Sequence, residues 1–324
     1  MFRKPKIYFV AKGNAIELLN KIYDLRLYYQ YSFHRKIFKD KEKQEALLFK
    51  LYHIVEKGLS LPQPRLGFGK EKIHEMLEVA NPYVSKYGKT ELTNAIASSL
   101  SEYISFNKSN KFDLDEKFQQ QIENFVALHN KDTKTGGTLN VSKKQILDSL
   151  NSDFETFFNS RYSVRDYAPT PINDRVIEKA VEIARKTPSV CNRQSWITHF
   201  YSDKKRINSL LEQQNGNRGF IEVINHLIIV TTNVKAFTYY EGNQVFVDGG
   251  LFSMSLMLSL HAQGIATCAL NTCRPFWYEK KIKQIGDIPP HERIIMMIAL
   301  GTMKPEFKVT ISQRKPVTQF LKKH

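Results

Sequence analysis

The hydrophobic period of the chain changes once, near residue 158, and that change limits the folds open to it. Before this point apolar residues recur at helical spacing; after it, short apolar runs alternate with amphipathic segments. KEKQEALLFKLYHIVEKG (41–58) puts Leu47, Leu48, Leu51, Ile54 and Val55 on one helix face, with Gly58 as a natural stop. AIELLNKIYDLRLYYQYSF (15–33) and residues 71–87, 90–106 and 113–129 carry the same pattern. LSLPQPRLGFGK (59–70) is a loop punctuated by proline and glycine, and KDTKTGGTLN (131–140) reads as a polar linker. A helix is expected from Ser142 to about Phe158.

The second half reads differently. NDRVIEKAVEIARK (173–186) predicts a helix with Val176, Ile177, Ala180, Val181 and Ala184 inward. ITHFYS (197–202), HLIIVTT (226–232), ATCAL (266–270) and RIIMMIALG (293–301) predict strands. DKKRINSLLEQQ (203–214) predicts a helix, and a long helix, apolar on most faces, is expected at about 244–263, ending at Gly264. The expectation is two domains, 1–150 and 151–324, the first all helical. At 324 residues and 42% hydrophobic, the chain can bury a core in each.

Charge narrows the partners little. The formal net charge is +16, with 25 basic against 17 acidic residues before 151 and 23 against 15 after it. No basic tail or stripe stands out, so no nucleic-acid partner is expected. A diffuse positive field favours small anionic ligands. The three cysteines, Cys191, Cys268 and Cys273, are too few and too oddly spaced for a disulfide framework or a zinc site, and read as small buried residues. MFRKPKIYFVAKG is too short in apolar residues for a signal-peptide core, and GGLFSMSLMLSLHA (249–262) is below membrane-spanning length. A soluble, cytoplasmic protein without a membrane partner is expected.

Four polar segments stand out. SRYSVRDY (160–167) gathers Arg161, Tyr162, Ser163 and Arg165 ahead of a helix; guanidinium forks and a hydroxyl suit a phosphate monoester, although surface arginines in ordinary ion pairs give the same sequence. In TPSVCNRQSW (187–196), Pro188 stops a helix, and Ser189, Asn192 and Gln194 offer neutral donors and acceptors. The alternative there is a turn capped by its own side chains. ATCALNTC (266–273) is either a core strand or a strand end offering backbone N–H groups to a flat ligand. SQRKP (312–316) is a basic pair near the end of the chain, or a solvated tail.

Taken in order, these segments resemble the nitroreductase family of FMN-dependent oxidoreductases over about residues 158–324. The resemblance implies an α+β fold: a mixed, mainly antiparallel sheet flanked by helices, here with an all-helical N-terminal extension. It implies that Arg161 and Ser163, with Tyr162 between them, hold the FMN phosphate, helped by Arg314 and its neighbour Lys315 near the C-terminus. It implies that Arg165 faces the pyrimidine side of the flavin, and that Ala269, Leu270 and Asn271 lie against the ring near N5. Pro188, Ser189, Asn192 and Gln194 match the segment that reaches the flavin from the partner subunit of a homodimer, whose core is the long apolar helix. No catalytic side chain is implied; hydride passes from NADH or NADPH through flavin N5 to an electron-poor acceptor, nitroaromatic or quinone in type, by ping-pong kinetics. A flavin-binding accessory protein without turnover is the other reading.

The chain departs from the family pattern at Ser195, where proline is usual, and at Ser312, where some members carry a second basic phosphate ligand. The stretch before the long helix is short, and Tyr239 and Tyr240 within it are candidate pocket residues. HIVEKGL (53–59) and PRLGFG (64–69) resemble the helical extension of a subgroup found beside cell-surface polysaccharide genes. His53 and Glu56 in that extension could reach a substrate pocket, or Glu56 could tie a helix end through Lys57 or Arg65. GFGK (67–70) lacks the spacing of a phosphate loop.

Overall fold

The computed structural model describes residues 40–129, 134–237 and 241–324, together with positions 14, 15, 18, 19, 21, 22 and 25. The chain divides into two compact units. One comprises residues 31–140 and 308–324; the other comprises 1–30 and 141–307. The last stretch of chain therefore groups with the helices, a return that no sequence pattern announces.

The helical unit is built from α1 (Lys41–Leu59), α2 (Lys70–Tyr87), α3 (Glu91–Ser109) and α4 (Glu116–Ala127). Asp40 caps α1, Thr90 closes a capping box on α3, and Asp115 caps α4, each accepting from a backbone N–H of the first turn. The expected face of α1 is buried at Leu47, Leu48, Leu51 and Val55, joined by Tyr52 and Leu59; Ile54 is only partly covered.

Gly58 does not end α1, which runs on to Leu59. Its place is set by packing: a Cβ there would lie 2.1 Å from the Phe68 ring. Phe68 in turn packs edge-on against Tyr103, whose hydroxyl donates to the Phe68 carbonyl at 2.8 Å, and Gly67 N donates to Asn107 Oδ1 at 2.7 Å. The two motifs of the helical half thus interlock with each other. Glu56 is fully buried and accepts from Gly137 N at 3.0 Å, with His53 Nδ1 3.6 Å from its second oxygen. It ties α1 to the 134–138 loop, a partner that sequence inspection did not suggest.

The end of the linker expected over 131–140 forms the start of β1 (Thr138–Ser142), which pairs with β6 (Glu306–Thr310) as a two-stranded sheet. The single helix expected over 142–158 is broken into α5 (Lys143–Ser149) and α6 (Phe154–Asn159), because Asp153 starts a fresh N-cap.

The sheet unit is an α+β fold. Its four strands, β2 (Trp196–Tyr201), β3 (His226–Asn233), β4 (Ile265–Leu270) and β5 (Glu292–Thr302), run in the order β2-β3-β5-β4, with each neighbouring pair antiparallel. Among the described residues the parallel element is a single bridge, Ser163 to Thr267. Alternation along the chain therefore does not produce parallel crossovers.

α7 (Asp174–Ala184) and α9 (Gln244–Ala262) cover one face around Phe252, Leu256, Leu260, Ile228, Val230 and Ile298. α8 (Lys204–Leu211) and α10 (Phe276–Gly286), the second unforeseen in the sequence, pack together elsewhere in the unit. At 19 residues α9 has the length and apolar composition to cross a membrane, longer than the 249–262 run suggests. It is instead packed on the sheet: a Cβ on Gly249 would lie 2.5 Å from Ile295, so glycine sets the close approach.

Candidate functional site

SRYSVRDY leaves α6 and lies along the outer edge of β4. Val164 N donates to the Thr267 carbonyl at 3.0 Å, and Ser163 bridges Thr267. Tyr167, buried, anchors the far end; its hydroxyl is 2.7 Å from the Val164 carbonyl and 3.2 Å from that of Ala299. The fold thus brings Arg161, Tyr162, Ser163 and Arg165 beside β4, and the parallel bridge runs on toward Ala269, Leu270 and Asn271. Ala269 and Asn271 are exposed and Leu270 is buried. Asn271 is fixed at both ends: its carbonyl accepts from Gln214 Nε2 at 2.9 Å and its Oδ1 from Cys273 N at 3.0 Å.

Arg165 is the unusual residue. It is 7% exposed, and its one hydrogen bond among the described residues is a long one, 3.4 Å, to the Ser163 carbonyl. No carboxylate among the described residues pairs with it, while the neighbouring Asp166 is taken by Lys304 at 2.6 Å. Burying a cation without a counter-charge is expensive. The cost is offset if an anion, or a group that becomes anionic, occupies the space beside it.

On its other side the segment meets α9. His261, buried near the end of that helix, lies 2.8 Å from Ser160 Oγ and packs against Phe157. Burial, and then the charge of Arg161, push the imidazole down to about 4, so it is neutral at pH 7. Neither Ser160 nor His261 stands out in the sequence.

TPSVCNRQSW forms a strained turn. Cys191, Asn192 and Gln194 all have positive φ, at 48°, 53° and 49°. Ser189 Oγ accepts from Gln194 N at 2.9 Å, as expected of a self-capped turn. Asp248, 1% exposed on α9, accepts from Val190 N through both oxygens at 3.3 and 3.2 Å and from Gln244 Nε2 at 2.7 Å. Arg193 makes a two-pronged pair with Glu241, at 2.8 and 2.7 Å. Strain held by so many bonds marks a turn whose outward shape is fixed. Pro188, Asn192 and Gln194 face solvent, and Ser189 is half-buried. The sequence clue to Asp248 is an acid inside an apolar helix. Ser195, the first departure from the family pattern, is buried, and its hydroxyl has no hydrogen-bond partner among the described residues.

This turn leads into β2 and the Arg161–Arg165 segment lies beside β4, the two edge strands of the sheet. Asp248 holds the first and His261 the second, and they sit about 20 Å apart along α9 at ~1.5 Å per residue.

Arg314 and Lys315 belong to the helical unit. Lys315 Nζ lies 5.1 Å from the Phe49 ring centre, and Arg314 Nη1 donates to the Ser312 carbonyl at 2.5 Å; Ser312 takes a positive φ of 49°. Arg314 and the Gln313 backbone both favour the phenolate of buried Tyr52, yet burial dominates and raises that phenol. Tyr239 and Tyr240 lie outside the described residues. Two cysteines differ from expectation: Cys268 is buried, but Cys191 and Cys273 are exposed, because both fall in surface turns.

Residues 159–217 match the nitroreductase family model. A 4-nitrobenzoate reductase from Pseudomonas putida is 22% identical over 47% of this chain and 86% of its own. The putative NAD(P)H nitroreductase YodC from Bacillus subtilis is 24% identical over 49% of this chain and 93% of its own. Among solved structures, an FMN-dependent nitroreductase from Clostridium difficile is similar at a TM-score of 0.40 and 17% identity, over 44% of this chain and 84% of that one. The family match spans the two polar motifs and supports both the nitroreductase resemblance and an oxidoreductase.

Proposed function

We propose that the chain is an FMN-dependent oxidoreductase that takes hydride from NADH or NADPH and reduces an electron-poor acceptor. The observation that carries the reading is Arg165, a buried cation beside the edge of β4 without a carboxylate partner among the described residues. When bound, FMN supplies the redox chemistry itself, accepting a hydride and passing the electrons on.

The chain's part is to bind and to tune. Arg161 and Ser163, with the Tyr162 peptide, hold the phosphate. Arg165 offsets negative charge on the pyrimidine side, where a fixed cation stabilises reduced flavin. The backbone of Ala269, Leu270 and Asn271 lies against the ring edge. Nitroaromatics and quinones are the test acceptors, and one active surface serving donor and acceptor in turn predicts ping-pong kinetics.

A homodimer fits this assignment. The strained turn carrying Pro188, Ser189, Asn192 and Gln194 is too far along α9 to serve the Arg165 site of its own chain. A two-fold pairing through α9, whose Phe246, Val247 and Leu251 are 46–50% exposed, lets each turn serve the other copy. A division of labour is part of the proposal: the sheet unit carries the flavin, the helical unit is an added module, and the setting is a cytoplasmic step linked to surface polysaccharide.

The test is direct. The purified protein is examined by visible absorption, and any released cofactor is identified by chromatography, before and after adding FMN. A two-band flavin spectrum with FMN released supports the reading. A colourless protein that refuses added FMN overturns it. Full FMN occupancy with no NAD(P)H oxidation by any acceptor favours an accessory flavin-binding protein instead.

A further inference from the structure

A cavity of about 200 Å³ opens beside Asn271, lined by Gln214, Phe246, Arg274, Phe276, Arg293 and Met297 among others. Its floor is apolar, with Ile282, Ile294 and Met297 contributed by α10 and β5. Its charges are not balanced. Glu279 is the one carboxylate in its lining, and it is fully engaged: Lys283 lies at 3.1 Å, Arg293 at 2.9 Å, and Ile294 N donates at 3.4 Å.

Arg274 has no such partner among the described residues. Its guanidinium stacks 3.6 Å from the Tyr278 ring centre, and its buried Nε makes no hydrogen bond. Stacking fixes the plane of the fork and leaves its N–H edge available. Two cations of the lining, Arg274 and Arg293, thus stand against one acid, which Lys283 also engages from outside the lining.

We infer that this cavity binds a single-ring aromatic acid, its carboxylate held by Arg274 and its ring among Phe246, Phe276 and the apolar floor. The volume suits one ring with one acidic group and is too small for a nucleotide. A planar carboxylate matches the fork edge of an arginine better than a spherical anion does. The meaning of the site for catalysis, as the acceptor's place, rests on the proposed position of the flavin against residues 269–271; the binding chemistry itself does not.

Cys273 provides the readout, since it is exposed and lies in the cavity lining. The alkylation rate of Cys273 is followed by mass spectrometry of its peptide while benzoate, benzamide or inorganic phosphate is titrated in. Benzoate is expected to protect at roughly tenfold lower concentration than its neutral isostere benzamide, the factor that one charge-assisted contact of about 1.4 kcal/mol provides. Arg274→Gln is expected to abolish that preference. Equal protection by benzoate and benzamide in the wild-type protein overturns the inference without needing any variant. So does equal protection by phosphate, which marks a general anion site. FMN retention is read on the same samples by absorption. Flavin without benzoate preference overturns this site alone; benzoate preference without flavin overturns the flavin reading and leaves the site standing.

Discussion

His261 Nε2 lies 2.8 Å from Ser160 Oγ, directly before Arg161, and joins the end of α9 to the start of the candidate phosphate segment. Ser160 Oγ also donates to the Phe157 carbonyl at 2.8 Å, so the neutral imidazole donates from Nε2 to the hydroxyl oxygen. A second proton on this ring would place a cation beside Arg161.

The consequence is a pH-dependent stability. The folded imidazole sits at about 4 against 6.5 in the unfolded chain, so between these values the unfolded state holds more protons. Stability contributed by this group is full above pH 6.5 and is lost as pH falls toward 4. The loss is on the order of 3 kcal/mol. Denaturant unfolding of wild type and His261→Gln at pH 7 and pH 4.5 checks it. The variant should show a distinctly smaller loss on acidification. His129 and His226, also lowered by burial, are present in both proteins and cancel in the difference.

Arg165→Met should separate stability from binding. Replacing a buried cation that has no carboxylate partner among the described residues with an apolar chain of similar length is expected to stabilise the flavin-free protein by about 1–3 kcal/mol. The same change should weaken FMN retention. Thermal melts without FMN and fluorescence titration with it measure the two effects. A flavin-free melt that falls would mean that Arg165 has an internal role.

Gly58→Ala should cost about 1–3 kcal/mol, because its Cβ must displace the Phe68 ring. Phe68→Leu should cost less in the Gly58→Ala background than in wild type. A double-mutant cycle by urea unfolding reads the coupling. An additive cycle would break the proposed interlock of the two motifs.

Asp248→Ala leaves Val190 N without its acceptor and frees the strained turn. The expected loss is about 1–3 kcal/mol in unfolding free energy. In the proposed dimer the turn serves the other copy, so FMN affinity should fall as well, although Asp248 lies about 20 Å along α9 from His261 at ~1.5 Å per residue. Unchanged FMN affinity in a folded variant would argue against a flavin shared between copies.

Much of the architecture was legible in the chain. The face Leu47, Leu48, Leu51 and Val55 and the strands around 197–202, 226–232, 266–270 and 293–301 follow from local periodicity, which depends only on neighbouring residues. α10 and β6 escaped it: the exposed Phe276 and Trp277 at the start of α10 blur its Tyr278, Ile282 and Ile285 face, and β6 is only five residues long. The break between α5 and α6 escaped it too, since Asp153 acts as a cap only once a new helix starts there. Gly58 read as a stop until the Phe68 ring was seen above it.

The sequence by itself determined which residues would be polar, charged and clustered in order: Arg161, Ser163 and Arg165, then Ser189, Asn192 and Gln194, then Ala269 to Asn271. Those are properties of a string, and local chemistry suffices to see them. Only the tertiary structure decided that Arg165 is buried without a carboxylate, that Asp248 and His261 hold the two polar segments near opposite ends of one helix, and that Arg274 faces a cavity with its charge unspent. Burial, partnering and distance arise from contacts between residues far apart in the chain, and no local pattern carries them.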